Sequence, residues 1–144
     1  MDAILADKAQ QQKQMWQARE WTIFCAKTIE AQAPDFWKDL YAAVEGLLEK
    51  SGLPPSALHK NPPARFFIHQ PRYPAIDVFV DLDTAARTIR ITTARRASRE
   101  TPLAESEQRL PFLLDEAGEL YLKQGDTILN VDATAKLILD PFLK

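Results

Sequence analysis

The sequence predicts an α+β fold, with helices at both ends of the chain and a mostly antiparallel sheet of five or six strands between them. Residues 1–33 contain neither glycine nor proline and are rich in Ala, Gln, Glu and Lys, which favours helix. In residues 76–93 branched aliphatic side chains recur at every second position, a period that is typical of half-buried strands. Prolines at positions 54, 55, 62 and 63 indicate an extended connector between these stretches.

A chain of 144 residues has the length of one domain. We predict a single domain, 1–144, with a helical layer at 1–52, a proline-rich connector at 53–64, an antiparallel sheet at 65–131 and a short C-terminal helix at 132–144. The connector is not interpreted as a domain boundary, because the helices alone would form too thin a core.

The helical layer is predicted to be a hairpin of two antiparallel helices. The first runs from about residue 3 to residue 32. Proline is favoured at the first position of a helix, where its missing N–H would have no partner, so Pro34 is expected to begin the second helix. Gly52 is suited to the left-handed conformation that ends many helices.

The first helix carries a second apolar row, Leu5, Trp16 and Ile23, on nearly the opposite side from its main apolar stripe. Charged residues interrupt this row, so it does not have the character of a deep core face. One interpretation is that the row contacts the following helix. The other is that it contacts a second subunit, because aromatic side chains are enriched at protein interfaces.

Residues 76–93 are predicted to form a β-hairpin with a four-residue loop at 84–87. Only this loop length keeps the aliphatic side chains of both arms on one face. It places Leu82 opposite Ile89 and Asp81 opposite Arg90. The predicted core residues of the hairpin are Ile76, Val78, Val80, Leu82, Ile89 and Ile91. The other face, predicted to meet solvent or a partner, bears Asp77, Phe79, Asp81, Arg90 and Thr92.

The remaining β segments are delimited by turn signals. Residues 94–108 show no apolar period, and we expect them to be functional or mobile. Asp132 is expected to cap the final helix. Strands are predicted at 65–70, 110–114, 119–123 and 126–130.

The segment Val78–Thr84 resembles the nucleophile motif of haloacid-dehalogenase-type phosphatases, which would make Asp81 a nucleophile and Asp83 an acid and base. Position 85, however, is Ala where that family has Thr or Val, and the chain turns straight back into an Ile-rich strand. We therefore predict that Asp81 is a solvent-face residue paired with Arg90, and that Asp83 is a turn residue.

Arginine is unevenly distributed. Eight arginines lie between positions 65 and 109, whereas lysine is absent between Lys60 and Lys123. The planar guanidinium suits recognition of phosphate and carboxylate groups. The candidate residues for binding an anionic partner are therefore Arg90, Arg95, Arg96 and Arg99. The alternative is that they are solvated and neutralised by neighbouring acidic residues.

No catalytic, metal or cofactor residue is predicted. His59 and His69 have no cysteine or second histidine at metal-ligand spacing, and no glycine-rich phosphate loop is present. Cys25 lies on the apolar stripe of a helix, where an inert thiol is the usual case. An enzyme with an unfamiliar site stays open as an alternative, with Cys25, His69 and Asp81 as its weak candidates.

The net charge of −2 gives no general attraction to nucleic acid or anionic membranes, and no apolar run approaches the ~20 residues of a membrane helix. The single cysteine and the lack of a secretory signal lead us to expect a cytoplasmic protein without cofactors. We predict a non-catalytic protein-binding or adaptor protein that forms a homodimer through Leu5, Trp16 and Ile23. The alternative function is arginine-mediated binding of nucleic acid or another polyanion.

Overall fold

The computed structural model describes residues 2–61 and 64–142, with the side chains of residues 17–54, 56–61 and 64–142. The described chain forms a long helix, a sheet and a short helix. In chain order the elements are α1 (Asp2–Ser51), β1 (Leu58–Asn61), β2 (Arg65–Gln70), β3 (Ala75–Asp83), β4 (Thr88–Arg96), β5 (Ala104–Leu114), β6 (Leu120–Gln124), β7 (Thr127–Leu129) and α2 (Val131–Leu139).

The α+β class is confirmed, but the predicted helical hairpin is wrong. Helix α1 is continuous over 50 residues and passes through Pro34, so residues 32–33 do not form a turn. At ~1.5 Å per residue the helix is about 75 Å long. Among residues 17–51, whose side chains are described, the first buried one is Ile29. The second half of α1 therefore covers the sheet, and residues 17–28 extend past it.

Tertiary packing explains why Pro34 does not break α1. A proline inside a helix leaves the carbonyl four residues earlier, here that of Glu30, without its usual N–H donor. Pro34 itself is exposed, so water reaches this part of the helix. Ala33, directly before the proline, and Phe36, two positions after it, are both buried in the core. This contact holds one helical axis on both sides of Pro34 and offsets the lost hydrogen bond.

The sheet has seven strands in the described residues, in the order β1 to β7, and every neighbouring pair is antiparallel. It is thus a meander, in which each strand pairs with the one before it in the chain. The predicted five or six strands are too few, because β1 lies inside the proline-rich connector. A strand of four residues between prolines gives no periodic signal in the sequence.

The predicted register of the central hairpin is confirmed. Leu82 lies opposite Ile89 and Asp81 opposite Arg90, across the four-residue turn at 84–87. The predicted aliphatic row faces the helices, and we call this side of the sheet the inner face. Five of its members are buried and Leu82 is partly buried: Ile76, Val78, Val80, Ile89 and Ile91 are each 5% exposed or less.

Aromatic contacts fix α1 on the inner face. Phe66 of β2 is fully buried, and its ring centroid lies 5.0 Å from that of Trp37 and 5.4 Å from that of Tyr41. Farther along the sheet, Phe36 and Phe112 meet edge to face with centroids 5.2 Å apart. Such pairs add about 0.5–1.5 kcal/mol to the burial of their surface. Helix α2 packs against α1 and β7 and completes the core.

The segment 94–108 is more ordered than the sequence indicated. Strand β4 continues to Arg96, β5 begins at Ala104, and only residues 97–103 connect them. Residues 104–109 of β5 are exposed on both faces, so no alternation of apolar and polar residues marks them as a strand.

The N-cap of the C-terminal helix lies two residues earlier than predicted. The side chain of Asn130 accepts a hydrogen bond of 2.8 Å from the backbone N–H of Ala133, so Asn130 is the N-cap and Asp132 lies inside the first turn. The prediction that Asp132 caps the helix is therefore wrong, because Asn, which caps helices as well as Asp does, stands two positions earlier. Gly118 and Gly125 adopt the positive φ that the turns on either side of β6 require.

Replacing Pro34 by alanine tests the continuity of α1. In a continuous helix, alanine at position 34 can donate its N–H to the carbonyl of Glu30, and alanine also has a higher helix propensity than proline. We therefore expect the free energy of unfolding to rise by about 1–3 kcal/mol. Urea denaturation followed by circular dichroism measures it. Pro54→Ala, outside the helix, is the control and should change stability by less than about 0.5 kcal/mol. A loss of stability in Pro34→Ala would indicate that proline begins a separate helix.

Candidate binding surfaces

The face of the sheet that points away from α1, here called the outer face, carries three rows of side chains across its strands. The first row contains three arginines and one aspartate: Arg65, Asp81, Arg90 and Arg109. The second is mainly aromatic at one end: His59, Phe67, Phe79, Thr92 and Glu107. The third is acidic: His69, Asp77, Ala94 and Glu105. Positive charge is therefore concentrated at the end of the face nearest the β3–β4 turn.

The aromatic end of the second row is a continuous series of ring contacts, stacked between His59 and Phe67 and tilted by 34° between Phe67 and Phe79. The ring of Phe67 lies 4.8 Å from that of His59 and 5.5 Å from that of Phe79. Both phenylalanines are half-buried by their neighbours on the sheet. The guanidinium carbon of Arg65 lies 5.5 Å from the centroid of Phe79, within the range of a cation–π contact. This contact joins the aromatic row to the arginine row.

Asp81 organises the arginine row. Both of its carboxylate oxygens accept hydrogen bonds from Arg65, at 2.5 and 3.3 Å, and Oδ2 also accepts one from Arg90 at 3.4 Å. The hydrogen bonds and charge of Asp81 raise the pKa of the Arg65 guanidinium above its ordinary value. Arg65 therefore stays positively charged at any pH at which the protein would be studied. The predicted Asp81–Arg90 pair is confirmed, and Arg65 is the member of this cluster that sequence reasoning missed.

An open groove of about 510 Å³ lies beside these residues. Arg65, Arg90 and Arg109 all line it, together with Asp81 and residues 82–85 of the β3–β4 turn. The Nε atom of Arg90 is buried and has no hydrogen-bond partner in the described part of the chain. Glu107 is 3.8 Å from that atom and accepts a hydrogen bond of 3.1 Å from Arg109. We call this site the arginine groove.

Two arginines of the predicted basic segment, Arg95 and Arg96, form hydrogen bonds with other parts of the chain. Arg95 donates a hydrogen bond of 3.2 Å to the carbonyl oxygen of Pro141, and Arg96 donates one of 2.9 Å to that of Thr101. Both side chains thus hold chain segments in place. Arg99 is exposed on the β4–β5 loop. The structure does not bring these three residues into the groove that contains Arg90.

The second surface lies on α1 at residues 17–28, here called the arm. It comprises the described side chains of α1 that precede Ile29. Trp21, Ile23 and Phe24 are exposed by 65, 52 and 57%. They are half of the large apolar side chains found exposed among the described residues, and they fall within four positions. The rings of Trp21 and Phe24 stack with centroids 5.7 Å apart. The predicted contact of Ile23 with a second helix of the same hairpin does not exist, because there is no hairpin.

Leu5 and Trp16, the other members of the predicted row, lie outside the described side chains. The weak catalytic candidates lie on separate elements, since Cys25 is on the arm and His69 pairs with Asp77 on the outer face. Within the described residues, no group of three or more His, Cys, Asp or Glu side chains is placed to hold a metal ion. No helix of the described chain has both the length and the apolar character needed to cross a membrane.

A scan against protein-family models, a search of curated proteins and a search of solved structures each find no match to this chain. The arm and the outer face are therefore interpreted from their own chemistry.

Replacing Asp81 by asparagine tests its role in holding the arginine row. Arg65 and Arg90 would lose their shared carboxylate, and because both side chains are 40% exposed we expect a loss of only about 1 kcal/mol in the free energy of unfolding. Asp83→Asn is the matched control, because the amide oxygen can still accept the hydrogen bond that Asp83 takes from the N–H of Ala86. Equal effects of the two variants in urea denaturation would contradict the assignment.

Proposed function

We propose that this protein is a non-catalytic binding or adaptor protein that forms a homodimer through the arm of α1. The observation that carries the proposal is the exposure of Trp21, Ile23 and Phe24 on a helix segment that the rest of the described chain does not cover. Large apolar side chains clustered in this way mark interaction sites on protein surfaces. Aromatic residues in particular are enriched where such sites bury surface from water.

The direction of the apolar surface favours a partner on the side away from the sheet. Glu20 precedes the core residue Ile29 by nine positions, which is half a turn more than two full turns of helix. Glu20 therefore points away from the side of α1 that packs on the sheet. Lys27 follows Glu20 by seven positions and lies within about 20° of the same direction. Ile23 and Phe24 lie between these charges, one on each side.

This pattern is self-complementary when two arms run antiparallel. A two-fold axis between Ile23 and Phe24 places Glu20 of one copy opposite Lys27 of its partner, and the reverse pair forms by symmetry. The same axis places Ile23 against Phe24 at the centre. Charged residues that flank an apolar seam set partner choice and orientation in paired helices. Neither Glu20 nor Lys27 forms an ion pair within the described part of the chain, so both are available.

The net charge of the arm is small. Residues 17–28 contain Arg19, Glu20 and Lys27, a net charge of +1, and Glu30 after the arm forms an ion pair of 3.6 Å with Arg87. The repulsion between two such arms is therefore weak and is screened by salt. The body of the protein, with its outer face exposed, would remain open to other partners in the dimer.

Aspartate substitutions in the arm should abolish the dimer. We expect the double variant Trp21→Asp and Phe24→Asp to elute as a monomer in size-exclusion chromatography with light scattering, while the unaltered protein gives the mass of two chains. Ile128→Asp is the matched control, because Ile128 is 64% exposed on the edge strand β7 and outside the arm. A monomeric wild-type protein, or a dimer that persists in the double variant, would remove the proposal. Thermal unfolding confirms that each variant is folded.

Reversing the charges tests the antiparallel arrangement separately. In Glu20→Lys, the new lysine of each copy would face Lys27 of the other copy, which gives two repulsive pairs per dimer. We therefore expect the dimer dissociation constant to rise by about tenfold. Adding Lys27→Glu restores opposite charges and should restore most of the affinity. In a parallel pair, residue 20 would face residue 20, and the double reversal would not rescue the single one. Sedimentation equilibrium at low salt gives the dissociation constants of all three proteins.

A further inference from the structure

We infer that the outer face of the sheet binds a nucleoside phosphate, with the phosphate in the arginine groove and the base against the aromatic row of His59, Phe67 and Phe79. This site is separate from the arm, and its existence does not depend on the dimer. Its evidence is three guanidinium groups that line one groove, and a row of contacting rings at the adjoining position on the same strands.

Three arginines and two aspartates are among the residues that line the groove: Arg65, Arg90, Arg109, Asp81 and Asp83. Glu107, which is not part of the lining, pairs with Arg90 and Arg109. Within the described residues the three arginines donate four hydrogen bonds to Asp81 and Glu107, so most of their N–H groups are left for a ligand. Phosphate oxygens match the fork of donors that each arginine presents.

Arg90 and Arg109 supply donors that a ligand could reach. The Nε atom of Arg90 is buried 3.8 Å from Glu107, but its side chain as a whole is 40% exposed, so a ligand would meet the outer N–H groups of its guanidinium. An oxyanion in the groove would accept from Arg90 and from the 70% exposed side chain of Arg109 at the same time.

The aromatic row would bind the second part of the ligand, its base. Phe67 and Phe79 stand two positions along β2 and β3 from Arg65 and Asp81, a separation of about 7 Å on the same face. That distance is one that a single nucleotide can span between its phosphate and its base. Rows of aromatic side chains beside arginines are the arrangement on which proteins stack unpaired bases. An inorganic anion or a simple carboxylate would leave these rings unused.

The far end of the face limits the length of the ligand. Asp77 and Glu105 occupy the third row, where a further phosphate would meet negative charge. The site therefore accepts one phosphate at the groove end. This fits a free nucleotide or one nucleotide of a single strand whose backbone leaves the face past the β3–β4 turn.

Titration of the full-length protein with thymidine monophosphate, inorganic phosphate and a single-stranded ten-residue oligothymidylate at low salt tests the inference. Isothermal titration calorimetry and amide chemical shifts report binding and its place. We expect thymidine monophosphate to bind at least tenfold more tightly than inorganic phosphate, with shifts confined to the outer face. Tighter binding of the oligomer than of the mononucleotide would assign the site to single strands, and the reverse to free nucleotides. Both results support the site.

Variants with matched controls decide between this site and general charge attraction. Arg109→Gln and Arg90→Gln should each weaken binding by about tenfold, whereas Arg99→Gln, on the exposed loop, should change it by less than twofold. Phe67→Val should weaken binding by about fivefold or more, and Tyr73→Val, an exposed aromatic outside the row, should not. The side chain of Arg109 is 70% exposed, so Arg109→Gln should fold normally. It therefore tests the site even if Arg90→Gln fails to fold.

Three results would overturn the inference. The first is the absence of binding to all three probes at millimolar concentration. The second is equal weakening by Arg99→Gln and Arg109→Gln, which would show non-specific attraction. The third is inorganic phosphate binding as tightly as the nucleotide together with full affinity in Phe67→Val, which would leave the aromatic row without a role.

Discussion

The packing of the second half of α1 on the inner face of the sheet, centred on Phe66, is the contact on which the rest of the structure depends. Phe66 is fully buried between the sheet and the rings of Trp37 and Tyr41. Removing such a side chain typically costs about 3–5 kcal/mol, a large part of the stability of a domain this size. The same contact keeps α1 straight enough to continue through Pro34. It therefore decides where the arm ends and which face of the sheet stays open.

Much of the sheet could be predicted because its signals are local. Alternation of aliphatic residues and the need to keep both arms on one face determined the register of β3 and β4 to the residue. The helical hairpin was mispredicted because the rule for proline is also local, while the packing of Ala33 and Phe36 that overrides it is not. Strand β1 is too short to show a period, and the first half of β5 is exposed on both faces.

The candidate surfaces were predicted to a similar extent. Asp81 and Arg90 were found because neighbouring arms of one hairpin pair predictably. Arg65 and Arg109 join them from β2 and β5, and this follows only once the strand order is known to be a meander. Arg95 and Arg96 stood out in the sequence as a basic run, but their partners, the carbonyl oxygens of Pro141 and Thr101, leave no trace in composition. Ile23, a member of the predicted second row, is exposed, and its neighbours Trp21 and Phe24 are more exposed than it is.

The two uncovered surfaces have different chemistry and suit different partners. The arm is apolar at its centre with opposite charges on either side, Glu20 and Lys27, which suits another copy of itself. The outer face combines guanidinium groups with aromatic rings, which suits a small aromatic anion. Since the arm lies on α1 before the sheet begins and the groove lies on the far face, occupation of one leaves the other accessible.

The contact between arms can be measured directly through Cys25, the chain's single cysteine, which is partly exposed on the arm. A nitroxide attached there reports the distance between the two copies by pulsed electron paramagnetic resonance. Two antiparallel helices with axes 8–10 Å apart would place the labels about 15–30 Å from each other. A distance in that range supports the account. A dimer with labels more than about 40 Å apart, or no dipolar coupling at all, would contradict it.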